Sequence, residues 1–269
     1  MRVRAPSLAL AALGASLPIS APPVTSLLAT PSAAATLALR APEHSASIPT
    51  GPASLAEPAI SANPVSGDTI TIARVRYDGG GDWYADPTSL SNLLLAIRTR
   101  TGIPVSSRET VVRPLDPALS DSPYLYMTGH GDVRFSPQER AALRAHLEAG
   151  GFLHVDDNYG LDESFREELL HIFPETELTE IPPDHPVFHA FYTFPDGLPK
   201  IHEHDGEPPQ AFGIFLNGRL ALFYSFESDL GDGWEDSSIH GDSPELREAA
   251  VRMGVNLFVY ALGQTVRRP

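Results

Sequence analysis

The chain has 269 residues, a formal net charge of −15 and no cysteine. Three Arg and two Glu fall in the first 66 residues, which leaves 16 of the 19 basic and 32 of the 34 acidic side chains to residues 67–269, a net of −16. That field argues against nucleic acid as a partner and gives no polybasic attraction to anionic lipid. The missing thiols exclude disulfides, thiolate metal sites and cysteine nucleophiles. The same acidity also serves as a plain solubility device.

Arg2 and Arg4 precede a mostly apolar run from Leu8 to Ile19, and small residues at Ser20-Ala21 and Ala33-Ala34-Ala35 offer cleavage positions. Residues 1–35 therefore read as a signal peptide, and the expected location is exported, periplasmic or secreted. The other reading is a disordered leader on a cytoplasmic protein. The run is short for a spanning helix, Pro18 interrupts it, and no later segment is long enough to span a bilayer. Residues 36–67 are rich in Ala, Pro and Ser with no aromatic side chain, and are expected to form a disordered tether. The folded domain is expected over residues 68–264.

Thr69 to Tyr77 is β-branched and predicts a strand, followed by a loop from Asp78 to Tyr84. Asp86-Pro87 predicts an N-cap and first turn for a helix through Leu90, Leu93, Leu94 and Ile97 to Gly102. Val105 and Val111-Val112 predict a second strand region. Tyr124 to Thr128 predicts a buried strand, broken by Gly129-His130-Gly131-Asp132. Ser136, Pro137 and Glu139 spell a capping box, and Leu143 and Leu147 mark one face of the helix it opens, which Gly150-Gly151 ends. Phe152 to Val155 predicts the next strand, with Asp156-Asp157 directly after it. Strand, crossover helix and strand make a parallel unit, whose ligand crevice lies beyond the carboxyl ends of the strands.

Further on, Asp162 is expected to cap a helix through Phe165, Leu169 and Phe173, and Glu177 to Ile181 to form a strand. Pro182 to Pro186 reads as a rigid turn, and Val187 to Phe194 as a short helix or buried loop. Residues 196–210 read as an irregular insertion. Ala211 to Leu216, Asn217-Gly218 and Arg219 to Phe226 predict a hairpin on a type I′ turn. Glu227 to Asp242 reads as an acidic loop, and Ser243-Pro244 opens a last helix to about Leu262. The fold class that follows is α/β: a mostly parallel sheet flanked by helices, with an antiparallel hairpin near one edge.

Tyr126-Met127-Thr128-Gly129-His130-Gly131, Gly150-Gly151-Phe152-Leu153, Asp156-Asp157, Asp184 to His189, Asp229 to Trp234 and Arg252 to Leu257 together resemble the bacterial domain-of-unknown-function family 4159. The resemblance spans Thr69 to Leu262. It implies a class I glutamine-amidotransferase-like, flavodoxin-like fold, no settled activity, and relatives that are exported or attached to membrane-anchored proteins. Amidotransferases of that fold use a cysteine on a tight strand-to-helix turn. The comparable turn here is Val155-Asp156-Asp157-Asn158, so their chemistry is not carried over.

Candidate site residues follow the predicted loops. Asp156 and Asp157 could hold a divalent cation or share a proton; the alternative is one cap and one solvated acid. His130, between two glycines and beside Asp132, is either a base or ligand, or an exposed ring on a tight turn. His185 and His189 have the helical spacing of a metal pair, although Val187, Phe188 and Phe191 favour packing. His202 and His204 read as part of a flexible loop, and His154 as a hydrogen-bonded core residue. Asp229 and Asp232 with Trp234, and Asp78 and Trp83 in the first loop, could form an acidic wall with aromatic platforms for a cation or sugar. The sequence contains no G-x-S-x-G elbow, P-loop, dinucleotide G-x-G-x-x-G or H-E-x-x-H.

Two functions stand side by side. One is an exported ligand-binding or cell-envelope assembly module, taking a protein partner or a small-molecule or carbohydrate ligand. The other is a metal-assisted hydrolase whose divalent metal is held by some of Asp156, Asp157, His130, His185 and His189. The second requires several of these groups to converge on one point.

Overall fold

The computed structural model describes residues 69–204 and 206–265. The expected signal peptide and tether lie outside the described residues.

Five strands run parallel: β1 (Ile72–Val75), β2 (Thr110–Val112), β3 (Tyr124–Met127), β4 (Phe152–Asp156) and β7 (Arg219–Phe226). A hairpin partner β6 (Gln210–Leu216) pairs antiparallel with β7, and the two-residue β5 (Thr179–Glu180) closes the edge antiparallel to β6. The order is β2-β1-β3-β4-β7-β6-β5. Its parallel part has the 2-1-3-4-5 order of flavodoxin-like sheets. The fold is therefore α/β and flavodoxin-like.

Helices cover both faces. On one lie α1 (Ser89–Thr101), α5 (Pro244–Thr265) and the short α4 (Leu230–Trp234); on the other lie α2 (Pro137–Glu148) and α3 (Asp162–Ile172). Alternate strand residues divide between two cores, as the strand period of two requires. Tyr124, Tyr126, Phe152 and Phe223 pack under α1 and α5, while Leu125, Met127, Leu153, Val155 and Leu222 pack under α2 and α3. Both faces of β3 and β4 are buried, which is why β3 is continuously apolar and β4 is apolar except for the buried His154 and Asp156.

Local chemistry sets several boundaries as expected. Ser136 Oγ accepts the Glu139 amide at 3.3 Å, and Glu139 Oε2 accepts the Ser136 amide at 2.9 Å, completing the capping box of α2. Asn217 and Gly218 both have positive φ (52° and 76°), the requirement of the type I′ turn that sets the β6–β7 register.

Three boundaries differ. The first helix starts at Ser89 after Thr88, not on Asp86-Pro87. Asp86 instead takes a left-handed φ of 55°, because its carbonyl is drawn onto the buried Arg74 guanidinium at 3.1 Å and Pro87 disfavours a right-handed helical residue before it. Asp162 occupies the first turn of α3, with Leu161 at the cap position. The stretch 227–242 contains α4, which periodicity misses because a five-residue helix has no full repeat.

Trp234 ends α4 in the core, fully buried rather than offering an aromatic platform. Its Nε1–H donates to the Ala250 carbonyl at 2.8 Å. A Cβ on Gly254 would approach its ring to 2.9 Å, so α5 crosses directly over the indole. Among the described residues no helix is long and apolar enough to cross a membrane.

This packing predicts that Trp234→Ala lowers unfolding free energy by about 3–5 kcal/mol, measured by urea denaturation. A loss below about 1 kcal/mol would mean that the α4–α5 contact is not a core contact.

Candidate functional site

The carboxyl ends of β1, β3, β4 and β7 open onto one pocket of about 380 Å³. Asp86 enters it from the β1 side, His130 from the loop after β3, Tyr159 from beyond β4, and Asp229 and Asp232 from the turn after β7. His202 and His204 come from the insertion before β6, and His240 from the segment before α5.

Asp156, the last residue of β4, forms the floor. It is fully buried, and its two oxygens accept four hydrogen bonds: from Ser225 Oγ (2.5 Å) and the Leu230 amide (3.2 Å) on Oδ1, and from the Gly231 amide (2.6 Å) and Tyr126 Oη (3.2 Å) on Oδ2. The carboxylate thus fixes the start of α4 against β3 and β7. Gly231 must be glycine for this approach, since a Cβ would lie 2.6 Å from Asp86 Oδ2 and 2.9 Å from Tyr126 Oη. His154 lies one step further in, its Nε2 2.9 Å from Ser225 Oγ. Burial pushes this imidazole down to about 3, so it is neutral and donates to Ser225, whose own proton goes to Asp156. Ser, His and Asp are adjacent here, but all three are 0 % exposed and no substrate reaches them.

Around that floor the acids are packed more densely than the cations. Asp157 accepts the Glu227 amide at 3.3 Å on Oδ2, while its Oδ1 is buried without a hydrogen bond among the described residues. Asp229 stands 3.1 Å from His204 Nε2 through Oδ2. Its Oδ1 is also buried without a well-formed hydrogen bond among the described residues, with only the nearby Asp232 amide easing its charge. Burial raises Asp156 to about 6, Asp157 to about 7 and Asp232 to about 8, with neighbouring carboxylates adding to each. Burial likewise raises Asp86, and lifts Asp229 well above the ordinary range. The buried Arg74 spends its donors on the Trp83, Ala85 and Asp86 carbonyls and Ser89 Oγ, at 2.6–3.4 Å. Lys200 is committed to Glu227 at 2.7 Å.

One trio has the geometry of a cation site. Ligand atoms of Asp86, Asp232 and His240 all lie within 4.8 Å of one another. His240 Nδ1 faces Asp232 at 3.2 Å, and its Nε2 faces Glu235 Oε2 at 3.2 Å. Glu235 is itself held by the Thr88 amide (3.0 Å) and hydroxyl (3.1 Å). Asn158 donates to Asp86 Oδ2 at 3.4 Å. Oriented ligands backed by outer hydrogen bonds are what metal centres use. Two carboxylate oxygens and one imidazole leave further coordination positions facing the pocket.

The residues singled out in the sequence divide into four groups. His130, Asp229 and Asp232 line the pocket, with His130 held by Asp82 through its amide and through Nδ1 at 3.2 Å. Asp156 and Asp157 lie buried beneath it. Asp78 and Asp132 are exposed, the former paired with Arg113 at 3.2 Å, and Trp83 stacks beside Arg76 rather than in the pocket. His185 packs on Phe215 and Tyr260, and His189 lies beside the Asn217-Gly218 turn, both at the opposite edge of the sheet. Pro186 breaks their helical spacing: the segment is a 3₁₀ turn with His185 outside it.

Sequence reasoning missed Asp86, read as a helix cap, and His240 and Glu235, left within an acidic loop. It also took the loop bearing His204 as flexible, although that side chain is only 7 % exposed. An Asp directly after a strand-end loop and before Pro was the available signal for Asp86.

These features define an α/β domain of flavodoxin-like topology with an acid-lined crevice at the carboxyl edge of its parallel strands. Over residues 71–262 the chain matches the family described as Domain of unknown function (DUF4159), and it belongs to that family. No curated protein matches it.

The raised carboxyls fix a pH dependence. Each binds its proton more tightly folded than at its ordinary value of 3.8. Their contribution to stability is therefore greatest in acid, and is lost as pH rises through about 6, 7 and 8 for Asp156, Asp157 and Asp232. Chelator-treated protein should melt at least about 4 °C lower at pH 8 than at pH 5, followed by differential scanning calorimetry. A flat or rising profile would contradict the acid cluster.

Proposed function

We propose that the domain is a metal-assisted hydrolase whose divalent cation is held by Asp86, Asp232 and His240. The observation that carries this reading is the convergence of those three ligand atoms within 4.8 Å at an open pocket, with Glu235 orienting the imidazole. A cation there would meet two buried carboxylates and offset the cost of carrying their charge away from water, in competition with the protons that burial favours. With three protein ligands it would retain a coordinated water and lower that water's pKa, giving a nucleophile near neutral pH. His130 and the Asp229–His204 pair stand on the same pocket wall and could move protons to or from the reacting group.

The amidotransferase likeness enters only as scaffold. At the turn where those enzymes carry a cysteine this chain has Asp156 and Asp157, and Asp156 is occupied in fixing α4. A cofactor other than the metal is not required by this reading. A cell-envelope location is inferred from Arg2, Arg4 and the apolar run that follows them. If the leader is removed, intact-mass analysis of protein from the native host will show a mature N-terminus between Ser20 and Ala35; an intact Met1 or Arg2 terminus in a cytoplasmic fraction would reverse this.

The metal reading is tested by elemental analysis of protein purified without chelator. One equivalent of a divalent metal, zinc or manganese by the donor set, is expected per chain. Asp232→Asn and His240→Ala should each lower its affinity at least about tenfold while the far-UV spectrum is kept. Affinity should rise with pH up to about 8, since the metal displaces the Asp232 proton. Absence of metal together with no thermal shift on adding zinc, calcium or manganese would remove this reading.

A further inference from the structure

The pocket also carries information about what it accepts. Four of its lining residues are carboxylic acids (Asp86, Glu203, Asp229 and Asp232) and four are histidines, with no Lys or Arg among the described lining residues. The nearest buried cation, Arg74, points its donors at backbone carbonyls. One divalent ion balances two of the four acids, so even the metal-loaded pocket presents no net positive field to a phosphate or carboxylate. Asp229 is 1 % exposed, lines the pocket, and has a buried Oδ1 without a well-formed hydrogen bond among the described residues. Its Oδ2 faces His204 at 3.1 Å, so this buried acid backs the pocket wall through the imidazole.

At the mouth stands Tyr159, 59 % exposed, its ring stacked on His204 at 6.0 Å and 6° from parallel. One face of this ring lies against His204 and the other is open at the pocket mouth. Its flat face suits the apolar face of a sugar ring, while the carboxylates and imidazoles below suit hydroxyls. The volume of about 380 Å³ lies at the small end for ligand pockets, enough for one or two rings.

We infer that the pocket binds a neutral or amine-bearing saccharide unit, stacked on Tyr159 with its hydroxyl or amine groups on the acids and imidazoles that line the pocket, and discriminates against anionic sugars. This deepens the hydrolase reading by naming its substrate class, and rests on that reading for catalysis but not for binding.

The test is isothermal titration of the full-length protein, metal-loaded and chelator-treated, with diacetylchitobiose, glucosamine, glucose 6-phosphate and galacturonate. Diacetylchitobiose or glucosamine should bind, the two anionic sugars at least about tenfold more weakly. Tyr159→Ala should weaken binding of the neutral or amine sugar about tenfold, with metal content unchanged. Equal or tighter binding of the anionic sugars, no binding of diacetylchitobiose or glucosamine up to about 10 mM, or an unaltered Tyr159→Ala variant would each overturn the inference. Saccharide binding that survives in protein found to hold no metal would sustain it while removing the hydrolase reading.

Discussion

The structure depends on one buried carboxylate. Asp156 ends β4 and accepts from Tyr126 on β3, Ser225 on β7 and the first two amides of α4. Those bonds tie the start of α4 to the ends of three strands, and without them both α4 amides would be left unpaired in the interior. The neutral His154 behind Ser225 completes the chain of donors. This carboxylate is a positioning group: its oxygens are filled, and what it positions is the turn that bears Asp229 and Asp232.

That turn concentrates charge and backbone strain together. Asp86, Glu227 and Asp229 all have φ of 55–56°, a region that non-glycine residues seldom occupy. They flank the pocket or its floor, and the rest of the fold keeps them there: Arg74 holds the Asp86 carbonyl, Lys200 holds Glu227, and the Asp156 bonds fix the residues after Asp229. Strain and unpaired acids are both costly, and a domain with a well-packed core on each face of its sheet can sustain them at one site. Like charges held this close demand either protons or a cation. The pocket therefore exists in at least two ionic forms, set by pH through the buried acids.

The legible part of the chain was the part decided locally. Ser136 with Glu139, and Asn217 with Gly218, specify a helix start and a hairpin from neighbours alone, and the apolar run of β3 follows from burial on both faces. The site was legible only in outline, as loops at strand ends. Asp86 looked like a cap because an Asp-Pro pair usually is one; a guanidinium from β1, distant in sequence from nothing but its own loop, turned it inward. His240 joins Asp232 only because Glu235, tethered to Thr88 across the molecule, orients it. His185 packs on Phe215 and Tyr260 at the other edge of the sheet, as the flanking Val187 and Phe188 favoured, outside the 3₁₀ turn that Pro186 opens. Such long-range contacts carry no short-range periodicity for a sequence to display.

The turn at the end of β4 begins with an acid that bonds inward, Asp156, which accepts from the Leu230 and Gly231 amides. The group of Asp86, Asp232 and His240 is contributed instead by the β1 loop, α4 and the segment before α5. These elements meet on one side of the crevice, where α1 and α4 pack against each other, with Asp232 on α4 and Asp86 and His240 on the adjoining loops. The crevice at the carboxyl edge is a property of the topology, and the donor set is a property of the residues that the loops and α4 bring to it.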